Sequence, residues 1–263
     1  MSRKLPFAGR PAGPTVVADG VVIDGVALRP TPLPGPIRGV LFDMCNVLYD
    51  NTVWRRWVLR LLSHVGLHTS YHSFFRIWDR DFLVDVHRGQ REFRDAFEAF
   101  LFAAGLSRPQ IEELLAACLT RRRELQGTLR PLPGVKSTLT RLHQSGLSLA
   151  VLADSEHPAE RLSEQLQRVS LDRLLCSIVS SIDLGRTMPD PACYLTSLRA
   201  MNLPAEQVAF VGHDTAQLAG AADVGMRTIA FNYDADARAD VHVARFEELV
   251  EVIGTPVRVA AAG

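Results

Sequence analysis

The stretch GVLFDMCNVLYD, residues 39–50, sets the organisation of the whole chain. Its apolar start ends abruptly at the carboxylate of Asp43, which predicts a buried parallel strand with an aspartate at its C-terminal end. Open α/β sheets place their chemistry at that edge. Asp43 is therefore the first candidate for a catalytic residue, and the residues around it decide whether it has partners.

Two different patterns follow this strand. From about residue 52 to 127 apolar residues recur at helical spacing with no strand between them, which predicts a separate bundle of four helices, one of them over Tyr71–Val86. From residue 136 onward short apolar runs alternate with helical patterns, which predicts a parallel, doubly wound sheet. The predicted fold class is α/β: a Rossmann-like core with a helical-bundle cap inserted after the first core strand.

These changes of pattern also give the predicted domains. A Pro/Gly-rich arm covers residues 1–36, and its Asp24-Gly25 pair between apolar residues is a hairpin signal. The core combines residues 37–50 with residues 128–263, and the cap covers residues 51–127. A cap placed beside a reactive carboxylate can exclude water and select the substrate.

The composition of the chain limits the kinds of binding partner that we expect. Lys plus Arg and Asp plus Glu both total 29, and this balance argues against a nucleic-acid binder, which needs a basic excess. No apolar run approaches the ~20 residues that span a bilayer, so we expect no membrane partner. Four widely spaced cysteines without a Cys-x-x-Cys pair are typical of reduced thiols, so we expect a cytoplasmic protein. The arm or the cap is a candidate surface for a homodimer.

Four motifs carry a resemblance to a known family. They are VLFDMCNVL (residues 40–48), LAVLADS (149–155), GRTMPDP (185–191), and FVGHD (210–214) followed by GAADVGM (220–226). Over about residues 37–255 the chain resembles the haloacid dehalogenase (HAD) superfamily of phosphatases, dehalogenases and mutases, including the helical cap. The resemblance implies a hydrolase of a small anionic metabolite, of the phosphate-ester or haloacid type, with Asp43 as the nucleophile.

The chain departs from the family pattern at the positions that assist the nucleophile. The resemblance places Cys45 where phosphatases carry a second Asp that protonates the leaving group, and a thiol with a pKa near ~8.5 is a poor acid for that task. It places Ala153, which has no donor, where a hydroxyl residue binds the transferred group. The adjacent Asp154 is a candidate catalytic residue, and Ser155 either reaches the substrate or caps the following helix.

The positively charged residue of the family's third motif is also replaced. The resemblance places Met188 where a lysine neutralises the charge of nucleophile and substrate, and the chain's two lysines, Lys4 and Lys136, lie elsewhere. Losing a charge aimed at developing anionic character commonly costs ~10²–10³ in rate. Arg186, or a cap arginine such as Arg55, is a candidate substitute that would bind the substrate.

The family's Mg²⁺ site is altered as well. The resemblance places His213 where an acid binds Mg²⁺, a metal that prefers hard oxygen ligands. Three alternatives stay open. The first is that Asp43 and the adjacent Asp214 hold Mg²⁺. The second is that His213 acts as a base or hydrogen-bonds Asp43 without a metal. The third is that His213 only fills the site and bonds the backbone. No other cofactor is expected.

Two further stretches of the predicted cap are candidates for a role: one has two interpretations and the other has only a structural one. Residues 85–89, DVHRG, either meet the active site as a loop or simply end a helix at the glycine. The run RRR at residues 121–123 is interpreted as a solvated helix end, because positive charge there suits the helix dipole.

Three functions remain open at this stage, because fold alone does not choose between them. The first is a hydrolase with Asp43 as the nucleophile. The second is a degenerate relative that binds a metabolite or a protein partner without turnover. The third is an elimination or isomerisation in which Asp43 acts as a base, with Cys45 or His213 assisting.

Overall fold

The N-terminal part of the chain contains a short strand pair. The computed structural model describes residues 22–23, 26–27, 32–126 and 129–254. Strand β1 (Val22–Ile23) pairs antiparallel with β2 (Val26–Ala27), as the hairpin signal predicts. The rest of the predicted arm before residue 32 lies outside the described residues, so its role stays a prediction.

Six parallel strands form the central sheet and confirm the predicted fold class. The strand order is β5-β4-β3-β6-β7-β8. From β3 the chain builds the sheet outward through β4 and β5, then returns to the other side of β3 for β6, so the order reverses between β3 and β6. Doubly wound sheets bind ligands at such a switch point. The strands are β3 (Gly39–Asp43), β4 (Ser148–Ala153), β5 (Ser177–Ser180), β6 (Val208–Gly212), β7 (Arg227–Phe231) and β8 (Val241–Val243).

All five residues of β3 are buried because helices cover both faces of the sheet. Val40 and Phe42 pack into one apolar cluster, whereas Leu41 packs into the cluster on the opposite face. This alternation follows the period of two along a strand. Asp43 therefore emerges at the C-terminal end of the central, most protected strand.

The cap consists of helices between β3 and β4 that share their own apolar cluster. Trp78 and Phe97 are essentially fully buried there, and burial of such a ring stabilises the fold by roughly 1.5–3 kcal/mol. The bounds are α1 (Thr52–His64), α2 (Tyr71–Trp78), α3 (Val84–His87), α4 (Phe93–Ala103) and α5 (Arg108–Gln126).

The helix predicted over Tyr71–Val86 is present but is not α-helical throughout. Instead of a continuous α-helix over Tyr71–Val86, a π-helical turn, Asp79–Leu83, separates α2 from α3. The turn starts at Asp79, which binds Arg55 of α1 with both carboxylate oxygens. Periodicity of apolar residues does not reveal such an insertion, which shifts the helix face by one residue and is often found at functional sites.

The core helices alternate with the strands as predicted. Asp190 accepts a hydrogen bond from the N–H of Ala192 at the start of a helix with Pro191 in its first position, an arrangement that favours a helix start. None of the helices among the described residues is both long and apolar enough to cross a membrane. The bounds are α6 (Val135–Gln144), α7 (Ala159–Arg168), α8 (Ser181–Leu184), α9 (Pro191–Met201), α10 (Thr215–Asp223) and α11 (Leu249–Ile253).

Candidate active site

Asp43 lies at the switch point between β3 and β6 and is 2% exposed. Its Oδ1 accepts a hydrogen bond from the N–H of Met44 at 2.7 Å, and its Oδ2 lies 3.0 Å from Nδ1 of His213, which directly follows β6. The two strands therefore deliver a carboxylate and an imidazole to one point. The contact corresponds to the sequence alternative in which His213 hydrogen-bonds Asp43.

The neighbours of His213 favour the protonated form of its ring. Burial alone would lower its pKa, but the hydrogen bond to Asp43 and the charges of Asp43, Asp214 and Asp234 outweigh burial and raise the pKa above its ordinary value. The side-chain amide of Asn46 lies 3.4 Å from Nε2 of His213, and its Oδ1 has no hydrogen-bond partner among the described residues. A half-turn of that amide would offer an acceptor to the Nε2–H of the charged ring.

The thiol of Cys45 is unsuited to acid–base work. Its Sγ lies 3.0 Å from the hydroxyl of Tyr49. Burial, together with the negative charge of Asp43, raises the pKa of Cys45 to about 12. Burial also raises the pKa of Tyr49 well above its ordinary value. Both groups remain protonated and neutral near pH 7, so they form a neutral wall beside Asp43.

Asp154 directly follows β4, the strand that pairs with β3. Its Oδ1 accepts a hydrogen bond from the N–H of Met188 at 3.0 Å. Burial is the main cause that raises the pKa of Asp154 to about 8, and the charges of Asp43 and Asp214 add to the increase. A carboxyl group that is mostly protonated near pH 7 thus stands at the strand end next to Asp43.

A cavity of about 520 Å³ lies between the core edge and the cap. The core contributes Cys45, Asp154 and Ser155 to its lining. Asp43 itself does not line the cavity, but Cys45, two residues later in the chain, does. The cap side combines apolar rings and chains with polar groups, namely Trp54, Trp78, Leu83, Phe93, Arg55, His87 and Arg122.

The cap arginines at the cavity already have acidic partners. Both terminal nitrogens of Arg55 donate to Asp79 at 2.7 Å, and its guanidinium lies 4.9 Å from the ring centre of Phe75. Arg122 pairs with Glu156 of the core and lies 3.5 Å from the ring centre of Phe93. Paired and stacked arginines of this kind are fixed in place, which favours recognition of an anion in a defined orientation.

The other sequence candidates have separate positions. Ser155 lines the cavity, and its Oγ accepts a hydrogen bond from the N–H of His157 at 3.0 Å, just before α7. Arg186 binds Asp190 at 2.6 Å and its side chain is 60% exposed, so it does not reach the cavity. Asp214 caps α10, because its Oδ1 accepts hydrogen bonds from the N–H groups of Ala216 and Gln217.

Sequence reasoning missed several residues of the site. Tyr49 and Glu156 are not candidates by any sequence pattern, and Arg122 belongs to the run RRR that the sequence predicts to be a solvated helix end. His87 lines the cavity, which favours the interpretation of residues 85–89 as a segment that meets the site. Its pKa is lowered to about 3, first by burial and then by Arg122 and Arg55.

The donor set beside Asp43 does not fit Mg²⁺. The side chain that is hydrogen-bonded to Asp43 presents an imidazole nitrogen, whereas Mg²⁺ demands oxygen ligands in octahedral geometry. Asp214 uses one carboxylate oxygen to cap α10. Within residues 32–126 and 129–254, no group of three His, Cys, Asp or Glu side chains is arranged to hold a metal. We therefore derive no step through Mg²⁺.

Comparison with known proteins agrees with this fold. The chain is 24% identical over 228 residues to the glyceraldehyde 3-phosphate phosphatase of Methanocaldococcus jannaschii, covering 82% of this chain and 97% of that protein. It is 31% identical over 100 residues to (S)-2-haloacid dehalogenase 4A of Burkholderia cepacia, covering 38% of this chain and 42% of that protein.

A solved structure gives the same result. The 2-haloacid dehalogenase of Pseudomonas syringae pv. Tomato superposes with a TM-score of 0.54 at 25% identity, covering 82% of this chain and 98% of that one. The sequence profile of the haloacid dehalogenase-like hydrolases matches residues 37–225. The resemblance seen in the motifs is thus confirmed: the chain belongs to the haloacid dehalogenase-like hydrolase family.

Proposed function

We propose that this protein is a hydrolase in which Asp43 attacks a small anionic substrate bound between core and cap. The observation that carries the proposal is the contact between Asp43 and His213 at the switch point of the sheet. An ionised carboxylate offers about four lone-pair directions. Asp43 therefore keeps a lone pair for attack while Met44 and His213 hold it in place.

The charges around the cavity support an anionic substrate. Arg55 and Arg122 reach it from the cap, and His213 adds positive charge beside the nucleophile. Donors that are fixed before the reaction stabilise developing negative charge without reorganisation. His213 is our candidate for the charge-balancing work of the lysine that the family carries at the position of Met188, and Arg55 and Arg122 are our candidates for binding the anion.

A variant series tests the proposal. Wild-type protein, Asp43→Asn and the surface control Asp223→Asn are assayed against phosphate monoesters and 2-haloacids, with and without Mg²⁺. We expect turnover that persists in a chelator, falls at least about 10³-fold in Asp43→Asn and is retained in the control. Equal turnover in wild type and Asp43→Asn would overturn the proposal.

Two other functions each have one supporting observation. Both oxygens of Asp43 already accept hydrogen bonds, which favours a protein that binds a metabolite or protein partner without turnover. Ligand-induced thermal stabilisation with no product from any substrate would support it. The pairing of Asp43 with an imidazole also suits a base for an elimination or isomerisation. A substrate altered without release of phosphate or halide would support that function.

A further inference from the structure

The proposed hydrolase lacks an acid at the position that normally supplies one. An alkoxide leaves readily only if it is protonated as its bond breaks. The thiol of Cys45 faces the cavity but is held neutral beside Tyr49. Another group must donate the proton if the substrate is an ester.

Three carboxyl groups among the described residues line the cavity: Asp50, Asp154 and Glu156. The Oδ1 of Asp50 accepts hydrogen bonds from the N–H and the hydroxyl of Thr52, the first residue of α1. Glu156 is engaged with Arg122 and His157, and a nearby guanidinium favours the ionised form of a carboxylate. Within the described part of the chain, Asp154 has no cationic hydrogen-bond partner, and burial raises its pKa to about 8, so it is the candidate proton donor.

The position of Asp154 suits a proton donor to a group attacked by Asp43. Within the pairing of β3 with β4, Asp43 lies opposite Leu152, so Asp154 emerges two residues later at the same edge of the sheet. The N–H of Met188 fixes its Oδ1. No hydrogen bond to its Oδ2 occurs among the described residues, which leaves that oxygen to carry a proton into the cavity.

The charges that face Asp154 keep that proton in place. Asp43 and Asp214 at neighbouring strand ends favour the neutral carboxyl group, in addition to burial, whereas Arg88 of the cap and the N–H of Met188 oppose it. Cys193 and Tyr194 of α9 also face it and remain neutral, since burial raises the pKa of each.

We infer that Asp154 is the general acid of this site and that the substrate is a phosphate monoester of an alcohol. This inference rests on the proposed function. A halide leaves as a stable anion and needs no proton, so an acid at this position is of use only for an oxygen leaving group. The rings of Trp54 and Phe93 in the cavity wall suit an alcohol with an apolar body.

Asp43, Asp154 and one water molecule account for every bond and proton of the proposed reaction. A carboxylate oxygen of Asp43 forms a bond to phosphorus while the bond from phosphorus to the alcohol oxygen breaks. The proton of Asp154 goes to that oxygen, and the alcohol departs. Water then attacks phosphorus, Asp154 takes one of its protons, and the bond from phosphorus to Asp43 breaks. Inorganic phosphate leaves, and both carboxyl groups are restored.

Leaving-group dependence tests the assignment. The substrates are phenethyl phosphate, whose alkoxide needs a proton, and 4-nitrophenyl phosphate, whose phenolate does not. We expect Asp154→Asn, which keeps the acceptor for Met188, to lower kcat about 10²-fold or more with the alkyl ester but less than about fivefold with the aryl ester. The control Glu156→Gln lowers both rates by the same factor. Equal losses in Asp154→Asn would overturn the inference.

The pH profile gives a second criterion. Titration of His213 affects both esters alike, so the criterion is the ratio of kcat/KM for the alkyl ester to kcat/KM for the aryl ester. In the wild type this ratio falls above about pH 8 as Asp154 loses its proton, whereas in Asp154→Asn it does not change with pH. A ratio that is independent of pH in the wild type overturns the inference. If neither ester is hydrolysed by the wild type, the proposed function fails. If both are hydrolysed through Asp43 but Asp154→Asn shows no substrate preference, only the acid assignment fails.

Thermal unfolding tests the protonation of Asp154 without any need for turnover. Between about pH 4 and pH 8 the native state holds a proton on Asp154 that the unfolded chain releases, so the wild type loses stability as pH rises through this range. Asp154→Asn cannot ionise and escapes the loss. We expect the Tm of Asp154→Asn minus the Tm of the wild type to increase from pH 5 to pH 8. A constant difference contradicts a protonated Asp154.

Discussion

The core edge and the cap both bring charged groups to the same cavity, but they arrange them differently. At the core edge Asp43 faces His213 and Asp154 faces a backbone N–H, so the protonation states depend on neighbouring groups. In the cap the guanidinium of Arg55 is paired with a carboxylate and stays charged at every working pH. The difference suggests a division of labour in which proton-dependent chemistry belongs to the core and anion binding to the cap.

The largest effect on activity is expected from removing a charge at the core edge. His213→Gln keeps a hydrogen-bond donor near Asp43 but removes the positive charge. We expect kcat to fall about 10²- to 10³-fold, because a preorganised charge beside the reacting group is lost. Steady-state kinetics measure the effect. A change in KM alone would assign His213 to substrate binding instead.

A smaller effect is expected from the cap side. Arg122→Met keeps an apolar chain against Phe93 but removes the charge. We expect KM for the anionic substrate to rise about tenfold with kcat nearly unchanged, as for a contact made equally in ground and transition states. Arg123→Met, the neighbour on α5, is the control. A loss in kcat rather than KM would give the cap a share in the chemistry.

The pairing inside the cap can be removed separately. Asp79→Asn leaves the guanidinium of Arg55 partly buried without its carboxylate partner. Because the Asp79 side chain is 42% exposed, solvent screens part of the loss, and we expect stability to fall by about 1 kcal/mol. Chemical denaturation measures it. An unchanged midpoint would mean that solvent alone keeps Arg55 in place.

The smallest effect concerns His87, which lies where the cap meets the core. Its pKa is lowered to about 3 by burial and by the two arginines, so the native state holds it neutral while the unfolded chain protonates it near its ordinary pKa. Stability is therefore lost as pH falls below about 6.5, by up to about 0.8 kcal/mol at pH 6. Unfolding of His87→Gln at pH 8 and pH 6 tests this, since the variant should lack that part of the pH dependence.

The core side could be predicted from sequence, and the cap side could not. Asp43, Asp154 and His213 each follow an apolar strand, and parallel strands end at one edge, so their proximity follows from the topology alone. The contact of Arg122 with Glu156 joins residues 34 positions apart on different parts of the fold. No local pattern encodes which face of α5 turns towards the core.

The roles of individual core residues were harder to predict than their positions. The motif marks position 45 as the place for an acid, but the protonation of Asp154 depends on burial and on Met188, which lies on a distant segment. Likewise, the cap of α10 directs one oxygen of Asp214 to the helix start rather than to Asp43. Such effects are set by packing and hydrogen bonding between segments, which the sequence pattern does not show.

The neutral thiol beside Asp43 has a practical consequence for chemical labelling. Alkylation and oxidation proceed through the thiolate, and the raised pKa of Cys45 makes that form rare near pH 7. Cys118 and Cys193 are buried, whereas Cys176 is exposed. A maleimide dye should therefore attach first at Cys176, which directly precedes β5, while Cys45 in the cavity wall stays unmodified.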